Sequence, residues 1–218
     1  MRAFGFWVFD LDGTLIDSRR DIADAANDLL TACGLAPLGE ERIGRMVGDG
    51  AAVLVARAFA AYGIDPPPDA LPRFLTLYDA RLTDHTRPYP GIVDTLTALR
   101  SRGSSLALLT NKPHRATTTI LDRLELARFF EPALVVGGDG PLPRKPDPRG
   151  LQALMARSGA DAASTLLVGD SVIDWKTAHA AATSICVAKY GFGFEDFPVD
   201  RLGPADFWVE SPADLLVL

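Results

Sequence analysis

Short apolar segments rich in β-branched and aromatic residues recur along this chain, separated by longer segments with a helical pattern. The apolar runs span Phe4 to Phe9, Ser105 to Leu109, Ala133 to Val136, Thr165 to Val168, Ser184 to Ala188 and Asp206 to Val209. Between most of them, apolar residues recur at helical spacing, as Ile92, Leu96 and Leu99 do. Strands that alternate with helices in this way predict a parallel sheet covered by helices on both faces. We therefore expect a doubly wound α/β core.

The segment between the first two apolar runs departs from this alternation, because it contains helix signals and no convincing strand. Ser18 and Asp21 have the spacing of a capping box, and the apolar face that follows them ends at Gly34, which predicts one helix. Further helices are predicted over three stretches, Glu40 to Val47, Ala51 to Ala61 and Asp69 to Leu82. We therefore predict an all-helical insertion in the core.

The insertion divides the chain into two predicted units. A small all-helical cap domain spans residues 17–84, and a Rossmann-like core domain comprises residues 1–16 and 85–218. The chain crosses between the units at Ile16 to Ser18 and again at Thr83 to Pro88. We expect these two connections to act as a hinge pair.

Charge and composition exclude several classes of partner. The chain has 218 residues and a formal net charge of -6, with 22 Lys and Arg against 28 Asp and Glu. Because nucleic acids and anionic membranes are bound by an excess of basic residues, we expect neither as a partner. No apolar stretch approaches the roughly 18 to 20 residues of a membrane span, and the first run is too short for a signal peptide. We expect a cytoplasmic protein, because the distant Cys33 and Cys186 fit a reducing compartment.

Two aspartates directly follow the first predicted strand, in the segment Phe9-Asp10-Leu11-Asp12-Gly13-Thr14-Leu15. Open parallel sheets bind ligands beyond the carboxyl ends of their strands, so this loop lies where chemistry is expected. Two carboxylates this close repel each other by about 4 kcal/mol at a separation of ~4 Å and an effective dielectric of ~20, so a cation should join them. Taken alone, the pattern also fits a calcium-type loop or a solvated turn.

Polar residues follow further predicted strands in the same way. They are Thr110 and Asn111 after the second run, Lys145 after the third, and Asp170 and Asp174 after the fourth. Together, Thr110 and its neighbouring amides would bind an anion at a helix N-terminus. Asp170 and Asp10 offer the hard oxygen ligands that suit Mg²⁺. Taken singly, Thr110 and Asp170 also fit helix caps, and Lys145 an exposed lysine.

Four motifs, in this order and spacing, resemble those of haloacid dehalogenase-like hydrolases. They are Asp10-x-Asp12-Gly13-Thr14, Thr110-Asn111, Lys145-Pro146 and Gly169-Asp170-Ser171-x-x-Asp174. The resemblance spans nearly the whole chain, and the helical insertion resembles the small cap domain of that superfamily. Within it, the chain most resembles phosphoglycolate phosphatases. That narrower likeness rests on Asp12-Gly13-Thr14-Leu15-Ile16-Asp17-Ser18, Val47-Gly48-Asp49-Gly50-Ala51 with Arg57, and Gly137-Gly138-Asp139 leading to Pro143-Arg144-Lys145-Pro146.

The resemblance implies a phosphatase that works through a phosphoaspartyl intermediate. Asp10 would attack phosphorus, while Asp12 would protonate the leaving alcohol and later deprotonate the attacking water. The resemblance also implies Mg²⁺, bound by Asp10, the backbone carbonyl of Asp12 and Asp170, with Asp174 holding a metal-bound water. These four aspartates are the implied catalytic and metal-binding set.

The resemblance further implies how the substrate is held. Thr110, the Asn111 amide and Lys145 would contact the phosphoryl oxygens, and Lys145 would also orient Asp10. The expected substrate is a small phosphorylated metabolite, with 2-phosphoglycolate as the first choice, and the cap would close over it. The sequence leaves open whether the protein is a monomer or a homodimer.

Other functions stay open at this point. A sugar phosphomutase shares all four motifs, and so does a phosphatase of broad specificity toward sugar phosphates and nucleotides. A dehalogenase is disfavoured, because its chemistry needs no proton donor at Asp12. A non-catalytic regulator that binds a phosphorylated ligand is a further alternative, although its four catalytic motifs would be intact.

Some segments depart from the family pattern. Relatives commonly have glycine after the helix that follows the last motif, where this chain has Ala181-Ala182-Thr183-Ser184. Arg19-Arg20 stand where relatives commonly carry uncharged residues, either as exposed side chains or as contacts to a more acidic substrate. Gly48-Asp49-Gly50 is not read as a dinucleotide-binding loop, because no strand precedes it.

Overall fold

The computed structural model describes residues 4–195, 197–204 and 206–218. Its strands are β1 (Phe6–Phe9), β2 (Ile16–Asp17), β3 (Arg87–Pro88), β4 (Ser105–Leu109), β5 (Val135–Val136), β6 (Thr165–Gly169), β7 (Ser184–Ala188) and β8 (Phe207–Val209). Six of them form one parallel sheet in the order β5-β4-β1-β6-β7-β8. All six predicted core strands are confirmed. The third is shorter than predicted, because Pro132–Leu134 form a 3₁₀ turn ahead of it.

Helices cover both faces of this sheet. The described helices are α1 (Arg19–Ala32), α2 (Glu40–Gly44), α3 (Ala51–Ala60), α4 (Ala70–Asp79), α5 (Ile92–Ser101), α6 (His114–Arg123), α7 (Arg149–Ser158) and α8 (Val172–Ala180), and the last four cover the sheet. Trp7 and Phe9 of β1 belong to the apolar cluster that includes α5 and α6, whereas Phe6 and Val8 belong to the cluster with α7 and α8. Burial on both faces explains why the strands read as continuous apolar runs, and it confirms the doubly wound core.

The four helices α1 to α4 lie between β2 and β3, where the all-helical insertion was predicted. Helix α1 packs against α2, α3 and α4, and the stacked rings of Phe74 and Tyr78 contribute to the buried cluster. The chain enters and leaves the insertion through β2 and β3, which pair antiparallel with Ile16 opposite Pro88. The two predicted hinge connections therefore run side by side. The domain boundary at residues 17–84 stays a prediction.

The predicted capping box at the start of α1 is wrong. Ser18 occupies the N-cap position but makes no side-chain cap hydrogen bond; its hydroxyl instead donates to Asp12 Oδ1 at 2.5 Å. Asp21 is fully buried and accepts hydrogen bonds from the Thr86 N–H at 2.8 Å and the Thr86 hydroxyl at 2.6 Å. Contacts distant in sequence thus take both side chains away from the local cap.

The turn after α8 is built without glycine. Ala182 adopts a φ of +57°, a left-handed conformation that residues with a side chain rarely adopt. The N–H groups of Ala182 and Thr183 donate to carbonyls in the last turn of α8, so the chain still reverses into β7. Separately, among the described residues no helix combines the length and the apolar character needed to cross a bilayer.

Candidate active site

The loops that follow β1, β4, β5 and β6 meet at one edge of the sheet. Asp10 follows β1, Thr110 follows β4, Lys145 lies between β5 and α7, and Asp170 follows β6. All four side chains are buried. Parallel strands end at a common edge, which explains how residues so far apart in sequence come together.

Lys145 joins two of the aspartates. Its Nζ lies 2.8 Å from Asp10 Oδ1 and donates to Asp174 Oδ1 at 2.6 Å. Ser171 occupies the other Asp174 oxygen, through its N–H at 3.1 Å and its hydroxyl at 2.6 Å, and this capping box begins α8. The side chains of Lys145 and Asp174 are 2% and 0% exposed, so the ammonium is fixed between two carboxylates out of contact with bulk water.

The carboxylates of Asp10, Asp170 and Asp174 form a group that fits a divalent cation. One oxygen atom from each lies within 4.8 Å of the others, and all three residues are buried. Carboxylate oxygens are the hard donors that Mg²⁺ prefers. When ionised, the three carboxylates together carry more negative charge than the Lys145 ammonium can neutralise. The Asp12 carboxylate lies outside this group, and a ligand role for its backbone carbonyl stays a prediction.

The ionisation of this group reflects its burial. Burial raises the pKa of Asp10 from its ordinary value of 3.8 to about 7, against the opposing effect of Lys145. Burial, with Asp174 and Asp10 adding, also raises the pKa of Asp170 well above its usual range. Burial alone lowers the pKa of Lys145, but the neighbouring carboxylates outweigh it and the pKa lies above its ordinary value. A cation bound among these carboxylates favours their ionised form.

Asp12 is held by a lysine to which no role was assigned from the sequence. Lys112 Nζ donates to both Asp12 oxygens, each at 2.9 Å, and lies 4.6 Å from the ring centroid of Tyr78 in α4. The Ser18 hydroxyl is the further donor to Asp12 Oδ1. The available signal was the position of Lys112 directly after the Thr-Asn motif. The structure adds that its side chain turns back toward the first loop and toward the helical insertion.

Asn111 ties the loop that follows β4 to two other segments. Its Oδ1 accepts the Lys145 N–H at 2.8 Å, and its Nδ2 donates to the Lys145 carbonyl at 3.0 Å and to the Gly48 carbonyl at 2.8 Å. Thr110 Oγ1 accepts the Lys112 N–H at 3.2 Å, which orders the start of the loop. Thr110, Asn111 and Asp10 all line one cavity, and contacts of Thr110 and Asn111 to a bound anion stay a prediction.

Gly13 and Gly138 allow the loops to approach this closely. Gly13 has a φ of +83°, and a Cβ atom there would lie 1.8 Å from Asp170 Oδ2. A Cβ atom at Gly138 would lie 2.2 Å from the Asn111 carbonyl oxygen, where the Gly138 N–H donates to the Lys112 carbonyl at 2.8 Å. Side chains at these positions would separate the loops that carry the site.

A cavity of about 60 Å³ lies between the sheet edge and the helical insertion. Its floor is polar and is formed by Asp10, Asp12, Thr110, Asn111, Lys112 and Asp170. Its opposite wall is apolar and is formed by Ile22, Val47, Leu54, Phe74, Leu75 and Tyr78 of the insertion. The cavity therefore offers a charged, polar floor to one end of a bound molecule and an apolar wall to the other.

Arg19 and Arg20 do not line this cavity. Arg19 pairs with Asp17 at 2.7 Å, and Arg20 is exposed on the surface of α1 near Asp24. The exposed-side-chain interpretation fits Arg20, whereas Arg19 stabilises the start of α1 next to the hinge.

A known protein family matches this chain over most of its length. The model of the family described as "Haloacid dehalogenase-like hydrolase" matches residues 7–188, a span that contains all four motifs. The chain belongs to the haloacid dehalogenase-like hydrolases. In this hydrolase, the matched span begins in β1 and ends with β7, so it includes both the sheet edge and the helical insertion.

Curated and solved relatives of this hydrolase agree with that placement. The chain is 44% identical over 205 residues to a phosphoglycolate phosphatase of Rhodospirillum rubrum, covering 90% of this chain and 83% of the relative. It is 39% identical over 215 residues to a phosphoglycolate phosphatase of Agrobacterium fabrum, covering 94% and 90%. A crystal structure described as a predicted phosphoglycolate phosphatase from Haemophilus somnus superposes with a TM-score of 0.89 at 29% identity, covering 98% and 97%.

Proposed function

We propose that this hydrolase is a Mg²⁺-dependent phosphatase that cleaves a small phosphomonoester, with 2-phosphoglycolate as its substrate, through a phosphoaspartyl intermediate. The observation that carries the proposal is the position of Asp10, which lines the cavity and lies close to the Lys145 ammonium and to the carboxylates of Asp170 and Asp174. The substrate is proposed from the phosphoglycolate phosphatases that the chain resembles at 44% and 39% identity.

In the first step, a carboxylate oxygen of Asp10 attacks phosphorus and the bond from phosphorus to the ester oxygen breaks. Asp12 lies two residues further along the same loop, beside the cavity, and gives its proton to the departing alkoxide. Lys145, 2.8 Å from Asp10, orients the nucleophile. Thr110 and the Asn111 amide bind the phosphoryl oxygens in the cavity floor.

In the second step, water attacks the phosphorus of the phosphoaspartyl group and the bond from Asp10 to phosphorus breaks. Asp12, now ionised, takes the proton from that water, which restores both aspartates and releases inorganic phosphate. The apolar wall of the helical insertion excludes other water from the cavity, and a cap of residues 17–84 closes over the substrate.

Asp10, Asp170 and the backbone carbonyl of Asp12 are the proposed ligands of Mg²⁺, with Asp174 beside them. When bound, Mg²⁺ supplies positive charge that lowers the repulsion between the anionic nucleophile and the anionic substrate. The fit rests on the buried carboxylates, whose oxygens lie within 4.8 Å of one another.

The test is phosphate release from 2-phosphoglycolate by the wild type and by Asp10→Asn, with Mg²⁺ and with EDTA. The wild type should release phosphate in the presence of Mg²⁺ but not of EDTA. Asp10→Asn should be slower by at least about 10⁴-fold, because removing the nucleophile abolishes the covalent route. Equal rates for the two proteins would refute the role of Asp10.

A substrate panel tests the second half of the proposal. Sugar phosphates and nucleotides are compared with 2-phosphoglycolate by kcat/KM, and a tenfold preference for another compound would replace the proposed substrate. A stable phosphoenzyme that passes phosphate to a sugar phosphate faster than to water would identify a mutase. We further propose that the protein is cytoplasmic, in keeping with the free Cys33 and Cys186. We also propose that it is a monomer or a homodimer, and light scattering would distinguish these two states.

A further inference from the structure

The charged side chains that line the cavity are unevenly distributed. Among the described residues, Asp10, Asp12 and Asp170 contribute negative charge to the lining and Lys112 contributes positive charge. Lys145 lies below the floor, between Asp10 and Asp174, and is 2% exposed. Within the described lining, Lys112 is therefore the basic side chain that a second anionic group of a substrate would meet.

The helical insertion does not supply that counter-ion within the described lining. Its contribution to the cavity is the apolar wall together with backbone at Gly48 and Gly50. Arg57 of α3 pairs with Asp49 at 2.6 Å and donates to the Met46 carbonyl at 3.1 Å, outside the lining. An anionic substituent that faced only this wall would lose its hydration without a charged partner.

Lys112 is positioned to serve as that partner. Its side chain is 4% exposed, and its ammonium lies between the Asp12 carboxylate and the face of the Tyr78 ring. An ammonium has three N–H donors, of which two are directed at the Asp12 oxygens at 2.9 Å. The Gly138 N–H holds the Lys112 carbonyl at 2.8 Å, so the backbone of the loop is fixed.

We propose that Lys112 binds the anionic group of the leaving alcohol and so selects phosphate esters that carry a carboxylate next to the ester carbon. This inference rests on the proposed function, in which Asp12 contacts the ester oxygen. Because Lys112 is hydrogen-bonded to Asp12, it lies next to that oxygen, and the carboxyl carbon of 2-phosphoglycolate is two bonds away from it. Lys112 is thus a specificity-determining residue that touches substrate.

The decisive comparison uses 2-phosphoglycolate and its amide, 2-phosphoglycolamide, which has nearly the same shape and no carboxylate charge. The wild type should prefer the acid by at least about 100-fold in kcat/KM, since a charge-assisted hydrogen bond is lost with the amide. Lys112→Met should lower kcat/KM for the acid by about 100-fold and for the amide by less than tenfold. Lys176→Met, an exposed lysine of α8, is the matched control and should leave both values unchanged.

A binding measurement separates recognition from chemistry. In an Asp10→Asn background, calorimetry with 2-phosphoglycolate should give a Kd about 100-fold weaker when Lys112 is replaced by Met. The Kd for inorganic phosphate should change by less than threefold, because phosphate has no second anionic group. Lys112→Arg, which keeps the charge, should recover at least a tenth of the wild-type preference for the acid.

The outcomes distinguish the inference from the proposed function. The wild type could cleave 2-phosphoglycolate while Lys112→Met lowers kcat/KM equally for the acid and the amide. In that case Lys112 only positions Asp12, so the inference is wrong and the proposed function stands. If the wild type prefers the amide or another uncharged ester, the apolar wall selects the substrate and both proposals fail. Should Lys112→Met not fold, a wild-type preference for the acid of less than tenfold would still overturn the inference.

Discussion

Two buried lysines stand at opposite sides of this site, and their surroundings differ. Lys145 bridges two carboxylates from different loops of the core, Asp10 at 2.8 Å and Asp174 at 2.6 Å. Lys112 instead binds both oxygens of one carboxylate, Asp12, and its other neighbour is Tyr78 of the helical insertion. One ammonium is therefore enclosed by the core, whereas the other lies where core and insertion meet.

The two lysines therefore differ in their proposed roles: Lys145 orients the nucleophile, and Lys112 selects the substrate. The environment of Lys145 is complete without α1 to α4, so the nucleophile keeps its orientation wherever the insertion lies. The environment of Lys112 is complete only when Tyr78 of α4 lies against it. Under the proposed function, a substrate at Lys112 would contact both the core and the insertion, whereas Asp10 is oriented by contacts within the core.

The largest expected effect comes from removing the enclosed ammonium. Lys145→Met leaves two buried carboxylates without their partner, so the free energy of unfolding should fall by about 3 kcal/mol in urea denaturation. Because Lys145 also orients the nucleophile, kcat should fall about 10³-fold. Lys112→Met should lower the free energy of unfolding by less, because Asp12 retains the Ser18 hydrogen bond. A larger destabilisation by Lys112→Met than by Lys145→Met would contradict the difference between the two lysines.

A second test follows the ionisation of Asp10 through the effect of Mg²⁺ on the melting temperature. Its pKa of about 7 lies above the ordinary 3.8, so the unfolded chain releases this proton first. The metal-free protein therefore loses stability as pH rises from about 4 to about 7, and this contribution is constant above that range. Mg²⁺ competes with the proton, so its stabilisation should be greater at pH 8 than at pH 5.

At a hundredfold excess over Kd, the rise in Tm at pH 8 should be roughly 5 to 10 °C. Asp170→Asn serves as the matched variant, and it should lose most of this rise because one proposed ligand is gone. Equal stabilisation at pH 5 and pH 8 would contradict the assignment of this carboxylate group as the cation site.

The smallest effect sharpens the contrast at Lys112. Tyr78→Leu removes the ring face below the ammonium, and the loss of a buried cation–π contact should lower kcat/KM about fivefold. Tyr78→Phe keeps the ring and should stay within about twofold of the wild type. A double-mutant cycle should give about 1 kcal/mol of coupling between Tyr78→Leu and Lys112→Met, and none between Tyr78→Leu and Lys145→Met. Equal coupling in both cycles would contradict the separation of the two lysines.

Much of the core could be predicted from the sequence, because strands buried on both faces leave short apolar runs whose length and β-branched or aromatic residues distinguish them from helices. Residues at strand ends could be placed for a related reason, since a parallel sheet brings these ends to one edge. The predicted ends of helices were less accurate. The helix predicted for Asp69 to Leu82 is helical from Ala70 to Asp79, and local patterns alone do not determine such ends.

Contacts between distant segments were the part that the sequence could not supply. Ser18 reads as a helix cap by its spacing, yet it donates to Asp12 because the two loops lie together only in the folded chain. From the sequence, Lys112 is one more polar residue after a strand. In the folded chain its ammonium lies against the ring of Tyr78, which the sequence could not show. Four motifs could place the candidate site, whereas the contact of Lys112 with Asp12 could be found only from its neighbours in space.

Asn111 makes one of the contacts between the insertion and the core. One hydrogen of its amide reaches the Gly48 carbonyl at 2.8 Å, whereas its remaining bonds hold Lys145 backbone at 2.8 Å and 3.0 Å. If the insertion moved away from the core, only the first of these Asn111 bonds would be exchanged for water, and such an exchange changes the free energy by about 1 kcal/mol. We therefore expect the bonds from Asn111 to Lys145 to hold the two core loops together while the contact to the insertion is broken.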